Sequence, residues 1–194
     1  KYSGDKYYSG SDTLTIVVKG DGFDPVTGTV DIIINDINTP AEVVIDKGTN
    51  PTHPGIEVEE DHRVSINDIS IVDHDRGVDG RGDLITVELE TKFGDLFYDP
   101  QYASLFDADL SDVRPDDGVY KYVFKGARDD INDLLQTLEY QGAQDKYGTD
   151  TLKITAWDQE GVKSTGSIEI RVTPLPDAPV MPDYDPDNPG SMLN

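Results

Sequence analysis

Cysteine is absent from all 194 residues. That excludes a disulfide scaffold, thiol catalysis and cysteine-ligated zinc. Positive charge is scarce: 16 Lys and Arg stand against 39 Asp and Glu, a net charge of -23. Such a surface repels DNA, RNA and anionic lipid, so neither nucleic acid nor a membrane is expected as a partner. No run of about 18 apolar residues occurs, so no helical membrane span is expected. The opening Lys1-Tyr2-Ser3-Gly4-Asp5 is no signal peptide, and the chain starts abruptly, as a piece of a longer array would. Nucleophile elbow, phosphate loop and dinucleotide fingerprint are all missing, and His53, His62 and His74 lack metal-ligand spacing. The chain reads as a non-enzyme.

What is abundant is carboxylate. A self-repelling acidic domain needs counter-ions, and clustered carboxylates are the ligands that hard divalent cations prefer. An extracellular domain without disulfides also needs another staple, and a metal ion can supply it.

Strand signals dominate the chain. Asp12–Val18 and Thr29–Ile34 are rich in β-branched residues and bounded by Gly, Asp and Pro. Leu84–Glu90, Tyr120–Phe124, Leu152–Trp157 and Ser167–Val172 alternate apolar with polar, the period of a strand with one face in a core. One helix is expected over Asp129–Leu138, with Asp129 or Asp130 as its cap and Ile131, Leu134, Leu135 and Leu138 on one face.

The chain also repeats itself. Gly10-Ser11-Asp12-Thr13-Leu14-Thr15-Ile16 returns as Gly148-Thr149-Asp150-Thr151-Leu152-Lys153-Ile154. Gly28-Thr29-Val30-Asp31-Ile32 returns as Gly166-Ser167-Ile168-Glu169-Ile170 at the same separation of 138 residues. Residues 1–40 therefore read as the last strands of an incomplete repeat plus a linker. Residues 41–178 read as one complete unit, and 179–194 as a Pro- and Asp-rich linker or the start of a further unit. Two strands cannot bury an apolar face alone. Residues 1–40 must pair with another segment, another chain or the complete unit, and the pattern does not choose among these.

The order of these elements carries a resemblance. Leu152 through Gly161 followed by Ser167–Val172 resembles the closing hairpin of a cadherin repeat, and Asn35-Asp36-Ile37-Asn38-Thr39-Pro40 is similar to its inter-repeat linker. Asp73-His74-Asp75 is similar to the cadherin Asp-x-Asp element, and Val58-Glu59-Glu60-Asp61 to its early acidic element. Ile131–Tyr140 leading into Tyr147–Leu152 resembles the cadherin-like repeats of bacterial giant adhesins of the repeats-in-toxin type and the chondroitin sulfate proteoglycan repeat. The likeness spans residues 56–180 fully and 8–43 in part.

It implies an all-β, cadherin-like Greek-key sandwich with one short helix, in a calcium-stiffened extender of an extracellular cell-surface adhesin serving cell adhesion or biofilm attachment. Its partners would be neighbouring repeats of the same chain and, where one exists, a host or microbial surface ligand. Carried over by position, Asn35, Asp36 and Asn38 of the linker would meet Asp73, Asp75 and Asp158 at one tip around Ca2+, with Glu59 or Glu60 serving the opposite end near Asp177. The mid-domain acidic triplet of the family has no match, and Pro174-Leu175-Pro176-Asp177 lacks the Asn-Asp-x-Asn pattern of the first linker.

The glycine-punctuated acids from Asp73 to Asp83, Asp79 among them, also read as a calcium loop, without the closing Glu and flanking helices of an EF-hand. Arg81-Gly82-Asp83 belongs to that loop more simply than to an integrin motif. An alternative function is a calcium-dependent ligand-binding module, with carbohydrate or peptide held beside Trp157.

Overall fold

The structure, a computed structural model, describes residues 1–35, 37–46, 55–74, 84–112 and 118–176. It is an all-β sandwich with one short helix, preceded by a separate hairpin. The hairpin pairs β1 (Gly10–Gly20) with β2 (Phe23–Ile34).

One layer of the sandwich is a five-stranded sheet in the order β4 (Gly55–Glu59), β12 (Lys163–Thr173), β11 (Gly148–Trp157), β7 (Leu84–Thr91), β9 (Tyr120–Ala127). Its pairings are antiparallel except at the edge, where β4 runs parallel to β12. The second layer comprises β3 (Glu42–Ile45) on β6 (Ile69–Val72), and β5 (Arg63–Ser65), β10 (Glu139–Gly142) and β8 (Gly94–Phe97) in the order β5-β10-β8. The chain thus enters through β3 in one layer and switches to the other at β4, and the later strands cross between layers in Greek-key fashion.

Strand alternation sets the core. Leu152, Ile154 and Ala156 of β11, Ile168, Ile170 and Val172 of β12, and Ile85, Val87 and Leu89 of β7 point inward and are buried. They meet Ile66, Ile69, Ile71, Leu96 and Tyr140 from the facing layer. The apolar face of the helix α1 (Arg128–Leu135) closes the core with Ile131, Leu134 and Leu135. That helix also protects an edge: the Asn132 amide accepts from Ile71 N (2.7 Å) and donates to Ile71 O (2.9 Å), and Gln136 Nε2 donates to Ile69 O (2.9 Å). Backbone groups that would otherwise template another strand are satisfied by side chains. The N-cap of α1 is Ala127 with no side-chain bond, so Asp129 and Asp130 do not cap it. β9 runs in extended conformation directly into the helix, which places both acids inside the first turn, where they favour the positive end of the helix dipole.

A buried carboxylate knots the layers together. Asp150 is fully buried and accepts from Lys92 N (2.9 Å), Phe93 N (3.2 Å), Thr151 N (2.7 Å) and the Tyr140 hydroxyl (2.8 Å). Burial, reinforced by the hydrogen bond to Asp150, drives the Tyr140 phenol well above its ordinary range. Tyr140 in turn presses on Gly94 so closely that any β-carbon there would collide with its ring.

Candidate functional site: the two ends of the sandwich

The strand directions define two ends. β11 leads to Asp158 at the hairpin turn, and β12 returns to Thr173 at the opposite end. With 10 residues in β11 at roughly 3.3 Å each, the ends lie on the order of 30 Å apart.

At the Asp158 end the incoming linker is clamped. Asn38 Nδ2 donates to Asp158 Oδ2 at 2.9 Å, and Val162 N donates to Asp158 Oδ1 at 2.7 Å. Ser164 Oγ donates to Ala41 O and accepts from Val43 N. Ala41 is fully buried, which seats the linker before β3 begins. Asp158, only 6% exposed, is therefore held between its own turn and the linker of the preceding segment.

Asp73 reaches the same end. It follows Val72, which pairs with Glu42 one residue past Ala41. Asp73 is buried, and its carbonyl accepts from Arg128 Nη1 at 2.9 Å. No sequence motif pointed to Arg128; a cation opening a helix carries no signature of what its side chain will reach. The hairpin segment touches this end too, with the Tyr7 ring stacked on His74 at 4.0 Å and 9°. Asn35 is exposed just after β2. Asp36, Asp75 and Asp79 lie outside the described residues, as does the Arg81-Gly82-Asp83 tripeptide.

At the opposite end Glu60 N donates to Thr173 O (2.9 Å), and Leu175 N donates to Glu60 Oε1 (2.7 Å). Glu60 is 4% exposed, and its Oε2 is buried with no hydrogen-bond partner among the described residues. A buried carboxylate oxygen left without a donor is costly. Glu59 is exposed and lies 3.9 Å from His62, a contact of little energetic weight in solvent. His62 and His74 sit at opposite ends and do not approach each other. Asp177 lies outside the described residues. Among the described residues, no group of three or more His, Asp or Glu side chains is close enough to hold a metal ion by itself.

Trp157 points to the outer face of the five-stranded sheet. There it lines a cleft of about 520 Å³ with Leu84, Leu110, Lys121 and Lys125. Among the described residues no helix is long and apolar enough to cross a membrane.

A family model matches residues 80–166, less than half of the 194-residue chain, and it is the Protein GAMETE EXPRESSED 2 domain, GEX2. The matched stretch runs from just before β7 into β12. This finding overturns the assignment to repeats of bacterial giant adhesins. The motifs behind that assignment, a Gly-x-Asp-Thr-Leu strand start and a helix-to-strand phrase, encode how such a sandwich closes and are not specific to one lineage. No curated protein matches significantly. Among solved structures the chain is similar to mouse clustered PcdhgC3 EC1-3, at 16% identity and a TM-score of 0.37, covering 86% of this chain and 42% of that one. The fold assignment rests on the strand order, independently of that likeness.

Proposed function

We propose that this chain is a non-catalytic spacer from an extracellular, cell-surface protein, in which β-sandwich units follow one another end to end and calcium ties each linker to the next tip. The observation that carries this reading is the clamp at one end. Asn38 lies on Asp158, and Ala41 and Val43 lie on Ser164, so the path from hairpin to sandwich is fixed by side chains of the downstream unit. The partners are the neighbouring units of the same polypeptide. The matched family is named for expression in gametes, which makes those the cells in which to look for the protein.

The calcium part of the proposal rests on the oxygen donors that the two ends carry. Calcium takes six to eight oxygens from carboxylates, amides, carbonyls and water. Asp158 and Asp73 with Asn38 would hold it at the linker end, together with Asp36 and Asp75 on the adjoining segments, and Asp79 nearby in sequence. Glu60, whose buried Oε2 lacks a partner among the described residues, would hold it at the other end with Asp177. The ion supplies charge neutralisation between opposed acidic surfaces. The chain's own side chains orient the linker, and Asn38 does so by hydrogen bond even without an ion. The test is thermal melting and limited proteolysis in calcium and in chelator. Calcium is expected to raise Tm and slow cutting in residues 35–46, and identical curves would refute it.

A second reading is favoured by the Trp157 cleft, where the indole stands beside Lys125 and beside Lys121, which is paired with Glu88 at 3.6 Å. It would take an acidic or neutral carbohydrate, and a glycan array with Trp157→Ala as control checks it.

A further inference from the structure

We infer that the exposed apolar face of the β1–β2 hairpin is an interaction surface whose occupant is a complement of the kind residues 41–138 form in this same chain. The inference rests on the tandem-unit part of the reading above and does not depend on calcium.

From Gly10 to Val18 the hairpin keeps the register of β11–β12, and it departs only towards its turn, where Gly20 pairs with Phe23. Gly10 pairs with Ile34 and Val18 with Val26; at the same separation of 138 residues, Gly148 pairs with Val172 and Ala156 with Ser164. The likeness extends ahead of the strands. The Tyr2 hydroxyl donates to Asp12 Oδ2 at 2.8 Å, as Tyr140 does to Asp150 at 2.8 Å. Thr13 N donates to Asp12 Oδ1 at 2.7 Å, as Thr151 N does to Asp150 at 2.7 Å. A β-carbon on Gly4 would lie 3.3 Å from Ile34, and one on Gly142 would lie 3.2 Å from Val172. Tyr7 and Asp145 share a positive φ (64° and 56°), as do Gly10 and Gly148 (135° and 125°).

What differs is cover. Leu152, Ile154, Ala156, Ile168, Ile170 and Val172 are all buried, whereas at the matching positions Leu14, Ile16, Val18 and Val30 are 46% to 64% exposed and Ile32 and Ile34 are half-buried. An isolated two-stranded ribbon does not hold such a face in water.

Asp12 identifies the occupant. Asp150 receives two further backbone donors, Lys92 N and Phe93 N, from the turn between β7 and β8. Asp12 has only Tyr2 and Thr13 among the bonds described. A second copy of the hairpin, laid face to face, would bury two Asp12 carboxylates without those donors, an unfavourable arrangement. A complement carrying a β7–β8 turn supplies them, together with the apolar layer.

The test joins a second copy of residues 41–138 directly ahead of Lys1 of the full chain, so that Lys1 takes the place of Glu139, and follows amide hydrogen exchange. Exchange in residues 10–34 should slow by about a hundredfold or more relative to the unextended chain. Leu14→Asp should abolish that gain and leave residues 84–173 protected. Because Val18 replaces the smaller Ala156, a Val18→Ala version is made in parallel. If both versions leave residues 10–34 unprotected while the downstream unit stays protected, the inference fails. It also fails if the unextended chain forms a dimer in which residues 10–34 are protected, because the occupant is then a second copy. Each experiment is run in calcium and in chelator. Protection gained in both, with no calcium effect on melting, would sink the calcium reading and leave this one standing.

Discussion

Replacing Asp150 by Ala should be among the most damaging single substitutions in the sandwich. Four donors converge on this carboxylate: three backbone N–H groups and the Tyr140 hydroxyl. Lys92 is exposed and Thr151 half-buried, so their N–H groups can turn to water. Phe93 is half-buried as well, so the Tyr140 hydroxyl is the donor left dry, at about 1–3 kcal/mol. Adding about 1 kcal/mol for lost packing gives an expected loss of roughly 2–4 kcal/mol, a large part of a domain's stability. Tyr140→Phe removes one donor and leaves Asp150 its three N–H partners, so about 1–2 kcal/mol is expected. The double variant should cost no more than Asp150→Ala alone, because the orphaned hydroxyl is then gone. Urea denaturation followed by fluorescence is a clean assay, since the only tryptophan, Trp157, lies on β11 and reports this unit and not the hairpin. Losses below about 1 kcal/mol for Asp150→Ala, or additive single effects, would refute the knot.

Gly94→Ala should destabilise by about 2–3 kcal/mol through collision with the Tyr140 ring, read as a lower urea midpoint at unchanged slope. Burial pushes the Tyr122 phenol up to about 12 from 10.0. The folded state therefore keeps a proton that the unfolded state releases; this contribution is whole below pH 10 and is lost as pH rises towards 12. The loss is about 2–3 kcal/mol, and Tyr122→Phe should flatten the alkaline fall in stability. Glu60→Gln should leave melting in chelator unchanged or raised, since a buried charge is removed, yet abolish part of the gain in calcium; a uniform drop in both would refute the role given to Oε2.

Much of the fold is legible because β7 and β12 alternate strictly and β11 nearly so, while β9, with Tyr122, Val123 and Phe124 buried in a row, declares itself by its β-branched and aromatic residues. The 138-residue repeat was equally plain, since Gly10 and Gly148 both sit in backbone conformations that favour glycine. Short elements were not. β3, β4 and β5 have 4, 5 and 3 residues, too few for alternation to declare itself. The helix was found but its cap was misplaced, because an Asp at the start of a helical pattern reads as a cap whether or not the preceding residue is already extended.

At the site, Asn38 and Asp158 were named from the family likeness, and the structure brings them into contact. Of the adjacent acids Glu59 and Glu60, the period of two decides which faces inward: Glu60 continues the face of Ile56 and Val58, and Glu59 that of the exposed Glu57. The Asp150–Tyr140 knot was overlooked although its signal was present. Tyr2 stands before Asp12 at the spacing that separates Tyr140 from Asp150, and a matched pair of polar residues in two copies of a core strand marks a shared buried bond.

The most direct check on the central claim is titration calorimetry of the full chain with calcium, beside an Asp158→Asn, Glu60→Gln double variant. Saturable binding that the two substitutions weaken at least tenfold is the predicted result. Absence of binding, or binding indifferent to both residues, would contradict a cation-tied junction between successive units.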